Sequence, residues 1–388
     1  MKILFSADWH LGYMLQGANQ VPRLEDQIRQ IQRIVEYIDE YDVDVLAIAG
    51  DVFEAQDRGP ALAAVRRMLN VLQQPLARGL RVVAVAGNHD RDYFMETAST
   101  WLSVESGEGG GHIYFRTRPG LVPVSARGET VNFVLLPYPK PERYPVQEEQ
   151  IVGAAERNQL LASVFCDEME RLQHDAAQTG LPAVLMTHVT VEGHSVNAHR
   201  LSPRDDVTIP RGRFPAFELT ISGHIHKAER IGSGQFYYVG ALDRMDAGER
   251  DYQPRVLLAD MSPTGLRDLH SLPLDPTPIV EVSASNEEDL IREHAWMKEP
   301  TRTLVKLTLR VPYGHYTAPL IARAKELFPR LYGNVEHIWE DKPVIAPVDA
   351  DLNPADVPGT IRRYLESQDL PDDEHAALMD LVDELLRS

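Results

Sequence analysis

Apolar positions in the first half of the chain form short runs, separated by stretches with helical spacing. Ile3-Leu4-Phe5 is one such run, and residues 43–48 and 82–86 read as further strands buried on both faces. Between them Leu24, Ile28, Ile31, Val35 and Ile38 recur at three- and four-residue steps. That spacing predicts a helix over 23–40, and a second is expected over 60–78. The β-α-β-α-β order predicts strands enclosed by helical layers. Weaker strands are expected near 112–116 and 131–136, and a long helix over 148–176. Later strands are expected at 183–187, 217–222, 235–239 and 255–260.

The proline-rich stretch Ser271–Pro278 reads as a linker. Beyond it, residues 279–340 follow the order strand, helix, strand, helix, strand, a small α/β unit of its own. A second linker over 341–358 carries Pro343, Pro347, Pro354 and Pro358. Two short helices are expected near 358–367 and 373–386. The last has an apolar stripe of Leu378, Leu381, Val382 and Leu385 opposite a carboxylate face. Four glycines between Gly107 and Gly111 do not join a strand to a helix, so a flexible surface turn is expected there rather than a phosphate loop.

Composition narrows the class. At 388 residues the chain is long enough for two or three compact units, and 43% hydrophobic with 25% charged residues is ordinary for a globular protein. Cys166 is the single cysteine, which excludes an internal disulfide framework and a cysteine-based zinc site. No apolar stretch reaches membrane-spanning length and the first is too short for a signal core, so a cytoplasmic location without a membrane anchor is expected. The net charge of −19 argues against a free-standing nucleic-acid binder. Residues 347–388 concentrate part of it, with eleven acidic against three basic side chains. Two bound divalent cations would offset the acidity where an anionic substrate approaches.

Five short segments follow predicted strands: Asp8-Trp9-His10, Gly50-Asp51, Gly87-Asn88-His89-Asp90, Thr187-His188 and Gly223-His224-Ile225-His226. Strand ends are where open α/β sheets bring distant side chains together. Imidazoles, carboxylates and one amide suit divalent metals of intermediate hardness. Asp8, His10, Asp51, Asn88, His188, His224 and His226 are too many ligands for one ion and about right for two sharing a carboxylate. Such a pair clamps the attacking and leaving oxygens of a phosphoryl group and acidifies water. Taken singly these segments mean little. Asp268-Leu269-His270 repeats the Asp-x-His pattern without companions and is set aside, and Gly-Asn-His-Asp alone could be a turn. Five in order, each after a strand, make coincidence a poor explanation.

The ordered set resembles the calcineurin-like metallophosphoesterase superfamily. Within it, Asp8-Trp9-His10-Leu11-Gly12, Gly50-Asp51-Val52-Phe53 and Tyr238–Arg244 followed by Gly248-Glu249 are similar to SbcD-type DNA nuclease subunits. The resemblance implies a four-layer α/β/β/α core over 1–272, a small α/β capping domain over 277–342, and a linker with a helical ATPase-binding tail over 343–388. It implies that Asp8, His10 and His226 hold one metal, that Asn88, His188 and His224 hold the other, and that Asp51 bridges. His89 would be the general acid, a role suited to an imidazole. The metal would be Mn²⁺, with Mg²⁺ the alternative. The activities implied are 3′-to-5′ exonuclease on duplex ends and endonuclease on single strands or hairpins, with DNA, an SbcC-type ATPase and a second copy of the chain as partners.

Two positions depart from the family pattern: Glu54 stands where some members have a histidine, and Ala241 where the family has a serine. A carboxylate donates no proton at neutral pH unless burial raises its pKa. Arg200, Arg204, Arg211 and Arg213 are candidate phosphate contacts, diluted by Asp205, Asp206 and Glu218. His194 and His199 in the same loop are expected to lie outside the ligand set. Two competing functions are a metallophosphodiesterase acting on a small nucleotide or phosphoprotein, and a structural clamp holding the ATPase on DNA.

Overall fold

The computed structural model describes residues 1–54, 58–105, 113–144, 153–194 and 206–341, with Leu365, Leu378 and Met379 beyond them. The turn expected over 107–111, Arg200, Arg204, His199 and the body of the expected tail helices lie outside the described residues. The chain divides into two compact units, Met1–Leu309 with Thr317–Glu336 and Arg310–Tyr316 with His337–Ser388.

The first unit opens with strand β1 (Lys2–Ser6), helix α1 (Leu24–Tyr41), β2 (Val45–Ala49), α2 (Arg58–Ala77), β3 (Arg81–Val85), α3 (Asp92–Glu105) and β4 (Ile113–Arg116). Next come β5 (Gly120–Ala126), β6 (Glu129–Leu136), α4 (Ala154–Gln178), β7 (Ala183–His188), β8 (Leu219–Gly223), β9 (Glu229–Arg230) and β10 (Phe236–Tyr238). Strands β11 (Arg255–Ser262) and β12 (Gly265–Pro273) complete this series.

Two six-stranded sheets result, in the orders β12-β11-β1-β2-β3-β4 and β9-β10-β8-β7-β6-β5. In the first, β1, β2, β3 and β4 run parallel, with Ile3 beside Val45 and Val45 beside Arg81, while β11 closes antiparallel on β1. In the second, β6, β7, β8 and β10 run parallel, with Gly223 beside His188. Alternate residues of each strand face opposite ways, which gives each sheet two apolar faces. Ile3, Phe5, Val45, Ala47 and Val83 of the first sheet pack on Phe133, Leu135, Val184, Met186 and Ile221 of the second. The outer face of the first sheet packs on α1 through Ile28, Ile31 and Ile34 and on α2 through Met68 and Leu72. The outer face of the second packs on Leu161, Phe165 and Met169 of α4. The layering is α/β/β/α.

The sheets approach tightly at the C-terminal ends of β2 and β8. A Cβ placed on Gly223 would lie 2.1 Å from the carbonyl oxygen of Ala49, so only glycine allows β2 and β8 to meet there.

Of the elements named above, four were not legible in the apolar pattern: α3, β5, β9 and β12. The expected linker over 271–278 starts inside β12, where Leu272 and Pro273 pair with Val256 and Arg255; irregular chain begins only at Leu274. The order expected over 279–340 is present as β13 (Ile279–Ala284), α5 (Glu287–Trp296), β14 (Leu304–Pro312), α6 (Ala318–Leu327) and β15 (Glu336–Glu340). Within the first unit β13 pairs in parallel with β14, and Asn286 caps α5 by accepting from the Asp289 amide. The loop after α6 is stitched to the one after His10: the Gly333 amide donates to Gln16, the Ala18 amide donates to Gly333, and Arg330 pairs with buried Asp26. In the second unit the Tyr313 amide donates to the Glu340 carbonyl at 3.0 Å. No described helix is long and apolar enough to cross a membrane.

Candidate metal centre

Each of the five segments picked out in the sequence leaves the C-terminal end of a parallel strand. Asp8 and His10 follow β1, Asp51 follows β2, Asn88 follows β3, His188 ends β7, and His224 and His226 follow β8. Turning sharply off a strand end to aim a side chain inward requires unusual backbone. Seven described non-glycine residues have positive φ, and four of them are Asp8 (49°), His10 (45°), Asp51 (50°) and His224 (83°). Strain of this kind persists where the surrounding fold enforces it, and it gathers at functional sites.

The seven residues converge in two groups. Asp8, His10 and His226 each present a ligand atom within 4.8 Å of one another, as do Asp51, His188 and His224. The Asn88 amide oxygen joins the second group, 3.1 Å from His188 Nε2 and 3.0 Å from His224 Nδ1. Asp51 lies between the two, its Oδ2 3.2 Å from His188 Nε2 and 3.6 Å from His10 Nε2.

The four imidazoles share one design, with one nitrogen facing the cluster and the other held by an acceptor. His10 Nδ1 contacts Glu54 at 2.8 Å, His226 Nδ1 contacts Glu249 at 2.7 Å, His188 Nδ1 contacts the Ala49 carbonyl at 2.8 Å, and His224 Nε2 contacts Asp206 at 3.2 Å. An outer acceptor fixes the tautomer so that the inner nitrogen offers a lone pair, as in histidine–metal sites. The inner nitrogens of His10 and His226 stand 3.2 Å apart, a spacing that needs a proton or a cation between them. The donor set of nitrogens, carboxylates and one amide oxygen fits a divalent pair.

The electrostatics agree. Burial pushes the His10 pKa down, against the pull of Glu54, and so favours the neutral ring a metal needs. Burial also disfavours charge on His188, but Asp51 and Asp8 outweigh it and push its pKa up to about 9. Asp51 is held well below the carboxylate range, its burial overcome by His188 and His10. In the metal-free protein a proton on His188 thus balances the buried carboxylate.

Glu54 and His89 form the rim. One Glu54 oxygen accepts from Nδ1 of both His10 and His89, each at 2.8 Å. Burial works against its charge, yet these two hydrogen bonds keep it well below the carboxylate range, so Glu54 stays ionised and serves as an acceptor. The His89 amide donates to Asp51 Oδ1 at 2.8 Å. Asp90, fully buried, accepts from the amides of Gly87, Val52 and Phe53 and so ties the Asn88 loop to the Asp51 loop.

Several residues here carried no signal in the sequence. Asp206, which reads there as diluting a basic stretch, is buried: it accepts from Tyr138 at 2.9 Å and from Thr190, and it holds His224. Tyr138 stacks obliquely on His224, ring centroids 5.3 Å apart. Arg143, completely buried, donates to the carbonyls of Ala86, Gly87, Tyr138 and Asp90 and to Asp92, which clamps the Asn88–His89 loop. Among the arginine candidates, Arg213 is paired with Asp167 and Glu170 of α4, and Arg211 lies against Gly232. His194 pairs with Glu229, and Asp268 and His270 are an exposed pair on β12.

A sequence model of the calcineurin-like phosphoesterases matches residues 1–228. The chain belongs to the calcineurin-like phosphoesterase family. It is 23% identical over 337 residues to the SbcD subunit of nuclease SbcCD from Staphylococcus epidermidis, covering 85% of this chain and 84% of that protein. Among solved structures it is similar to a putative 5′-nucleotidase of Staphylococcus aureus, with a TM-score of 0.38 and 13% identity over 74% of this chain and 57% of that one. A dimetal phosphatase of Danio rerio gives a TM-score of 0.37 and 12% identity, over 71% and 99% of the two chains. Membership of this phosphoesterase family accords with a metal-dependent hydrolase built on the cluster above.

Proposed function

We propose that the chain is a Mn²⁺-dependent DNA nuclease subunit that works with an SbcC-type ATPase. The observation that carries the phosphoesterase part is the double cluster, with Asp51 between its halves and His89 held on Glu54 at its rim. The DNA part is supported by similarity to a nuclease subunit along 85% of the chain.

In this reading Asp8, His10 and His226 hold one ion, Asn88, His188 and His224 hold the other, and Asp51 serves both. When bound, a divalent pair supplies positive charge to the phosphoryl oxygens and acidifies water. The protein's own groups do the rest. Glu54 fixes the His89 ring through Nδ1, leaving Nε2 to deliver a proton to the departing sugar oxygen. Fixed outer acceptors keep the other imidazoles in the ligating tautomer. The expected activities are 3′-to-5′ exonuclease on duplex ends and endonuclease on single strands and hairpins. Residues 343–388 would dock the ATPase, 277–342 would form the capping domain, and the working unit would be a homodimer.

The purified chain should be assayed with Mn²⁺ on end-labelled duplex and hairpin DNA beside bis-p-nitrophenyl phosphate. His89→Ala should lower the rate by about 10²- to 10⁴-fold while the metals still bind. Cleavage of the small diester without any degradation of DNA, with or without the ATPase, would overturn the nuclease reading. Removing residues 350–388 should abolish co-purification with the ATPase and spare single-strand cleavage.

A further inference from the structure

The segment Pro137–Tyr144 forms a wall of the site and carries a lysine that the ligand set does not use. We propose that Lys140 is a phosphate-binding residue of the substrate site, a reading that rests on the function proposed above and names the group meeting the substrate's charge. Its half-buried ammonium donates to the backbone carbonyl of Asn88 at 2.6 Å. That is the residue whose side-chain amide completes the Asp51–His188–His224 group.

Three features fix the lysine there. Pro139 and Pro141 flank it and restrict the backbone on both sides. The Lys140 carbonyl accepts from the amides of Arg143 and Tyr144, both at 2.9 Å, closing a turn. Arg143 then anchors that turn through the carbonyls of Gly87 and Asp90, on either side of Asn88 and His89. The lysine and the ligand loop are therefore held as one rigid piece.

The charge is available. Among the described residues no carboxylate lies within ion-pair distance of the Lys140 ammonium, and its hydrogen bond to Asn88 uses one of three N–H donors. Among the described residues, the guanidinium groups of Arg143 and Arg23 are held by carboxylates, Arg143 by Asp92 and Arg23 by Asp26 and Asp243. A lysine is a compact point charge suited to a phosphate oxygen. Propping up Asn88 alone would require only a neutral donor.

The test separates a phosphate contact from a prop. Binding of a labelled single-stranded oligonucleotide is measured by anisotropy on metal-free protein, at several salt concentrations. Lys140→Gln should weaken binding about five-fold at 0.1 M salt and reduce the slope of log K against log salt by about 0.7, the value of one single-strand phosphate contact. Lys140→Arg should retain the slope. On bis-p-nitrophenyl phosphate with Mn²⁺, Lys140→Gln should raise KM several-fold with kcat within about two-fold. Unchanged salt slope and KM, with a lower kcat or melting temperature, would overturn the proposal in favour of a prop. If the metal-free wild-type protein binds no DNA, the small-diester KM alone decides the role of Lys140, and the nuclease reading is decided separately by DNA degradation with Mn²⁺.

Discussion

Glu249→Gln tests whether the outer acceptors set the metal-binding state of the histidines. Glu249 is completely buried; Oε1 accepts from His226 Nδ1 at 2.7 Å and Oε2 from the Met245 amide at 2.7 Å. Both contacts use a carboxylate oxygen as acceptor, and glutamine has only one. If the amide oxygen faces Met245, the NH₂ faces His226 and moves the imidazole proton to Nε2, where it blocks the metal. If the oxygen faces His226, two N–H donors collide at Met245, at a cost of about 1–3 kcal/mol. The first orientation lowers affinity at the Asp8–His10–His226 group by about 10- to 100-fold, the range seen when the outer partner of a metal ligand is lost. Calorimetric titration with Mn²⁺ should show one weakened site and one near wild type, with a matching fall in diester hydrolysis at limiting metal. The second orientation shows instead as a lower melting temperature. Two wild-type affinities with an unchanged melting temperature would refute the reasoning, because they would mean that a fully buried acceptor had been removed without consequence.

Three further outcomes follow from the same geometry. Gly87→Ala places a Cβ 2.0 Å from Asp51 Oδ1 and 2.4 Å from its amide nitrogen, so Asp51 must shift; diester turnover should fall about 10²-fold, and near-normal kcat would contradict this. Arg143→Met leaves Asp92 unpaired and removes the donor to the Gly87 and Asp90 carbonyls; destabilisation of about 3–5 kcal/mol is expected, a drop in melting temperature of roughly 10 °C. The His188 pKa is raised from the usual 6.5 to about 9, so its proton stabilises the metal-free fold fully below pH 6.5 and ceases to as pH climbs through 9. Metal uptake displaces that proton, so Mn²⁺ affinity should rise from pH 7 to about 9; titrations at pH 7 in buffers of different ionisation heat should report proton release, and none would count against the assignment.

The parallel strands β1, β2, β3, β7 and β8 were legible because burial on both faces writes them as nearly unbroken apolar runs, and each of these five runs ended on a chemically loaded residue. Strand β12 was not, because its burial pattern leaves only Gly265 and Leu272 fully covered, so it reads as a charged and proline-rich stretch. Strand β5 alternates in short steps at the far edge of the other sheet and is opened by a glycine. The same limit applies to the site. His and Asp at strand ends announce themselves by type and order, whereas Asp206 and Arg143 act by being buried against a partner distant in sequence. Linear charge counting places Asp206 among surface carboxylates; only the fold shows it beneath His224. Glu54 is the intermediate case, its position visible as a departure and its role as a shared acceptor visible only in three dimensions.

The left-handed backbone at Asp8, His10, Asp51 and His224 sets stability against function. Each of these residues holds a conformation that glycine adopts freely and that a β-carbon resists. Selection for thermal resistance alone, with no demand for activity, should therefore drift toward glycine or asparagine at these four positions. The hardiest descendants would be inert. A library screened only by melting temperature should enrich such variants, and their enrichment would measure how much conformational energy the fold holds in reserve for its centre.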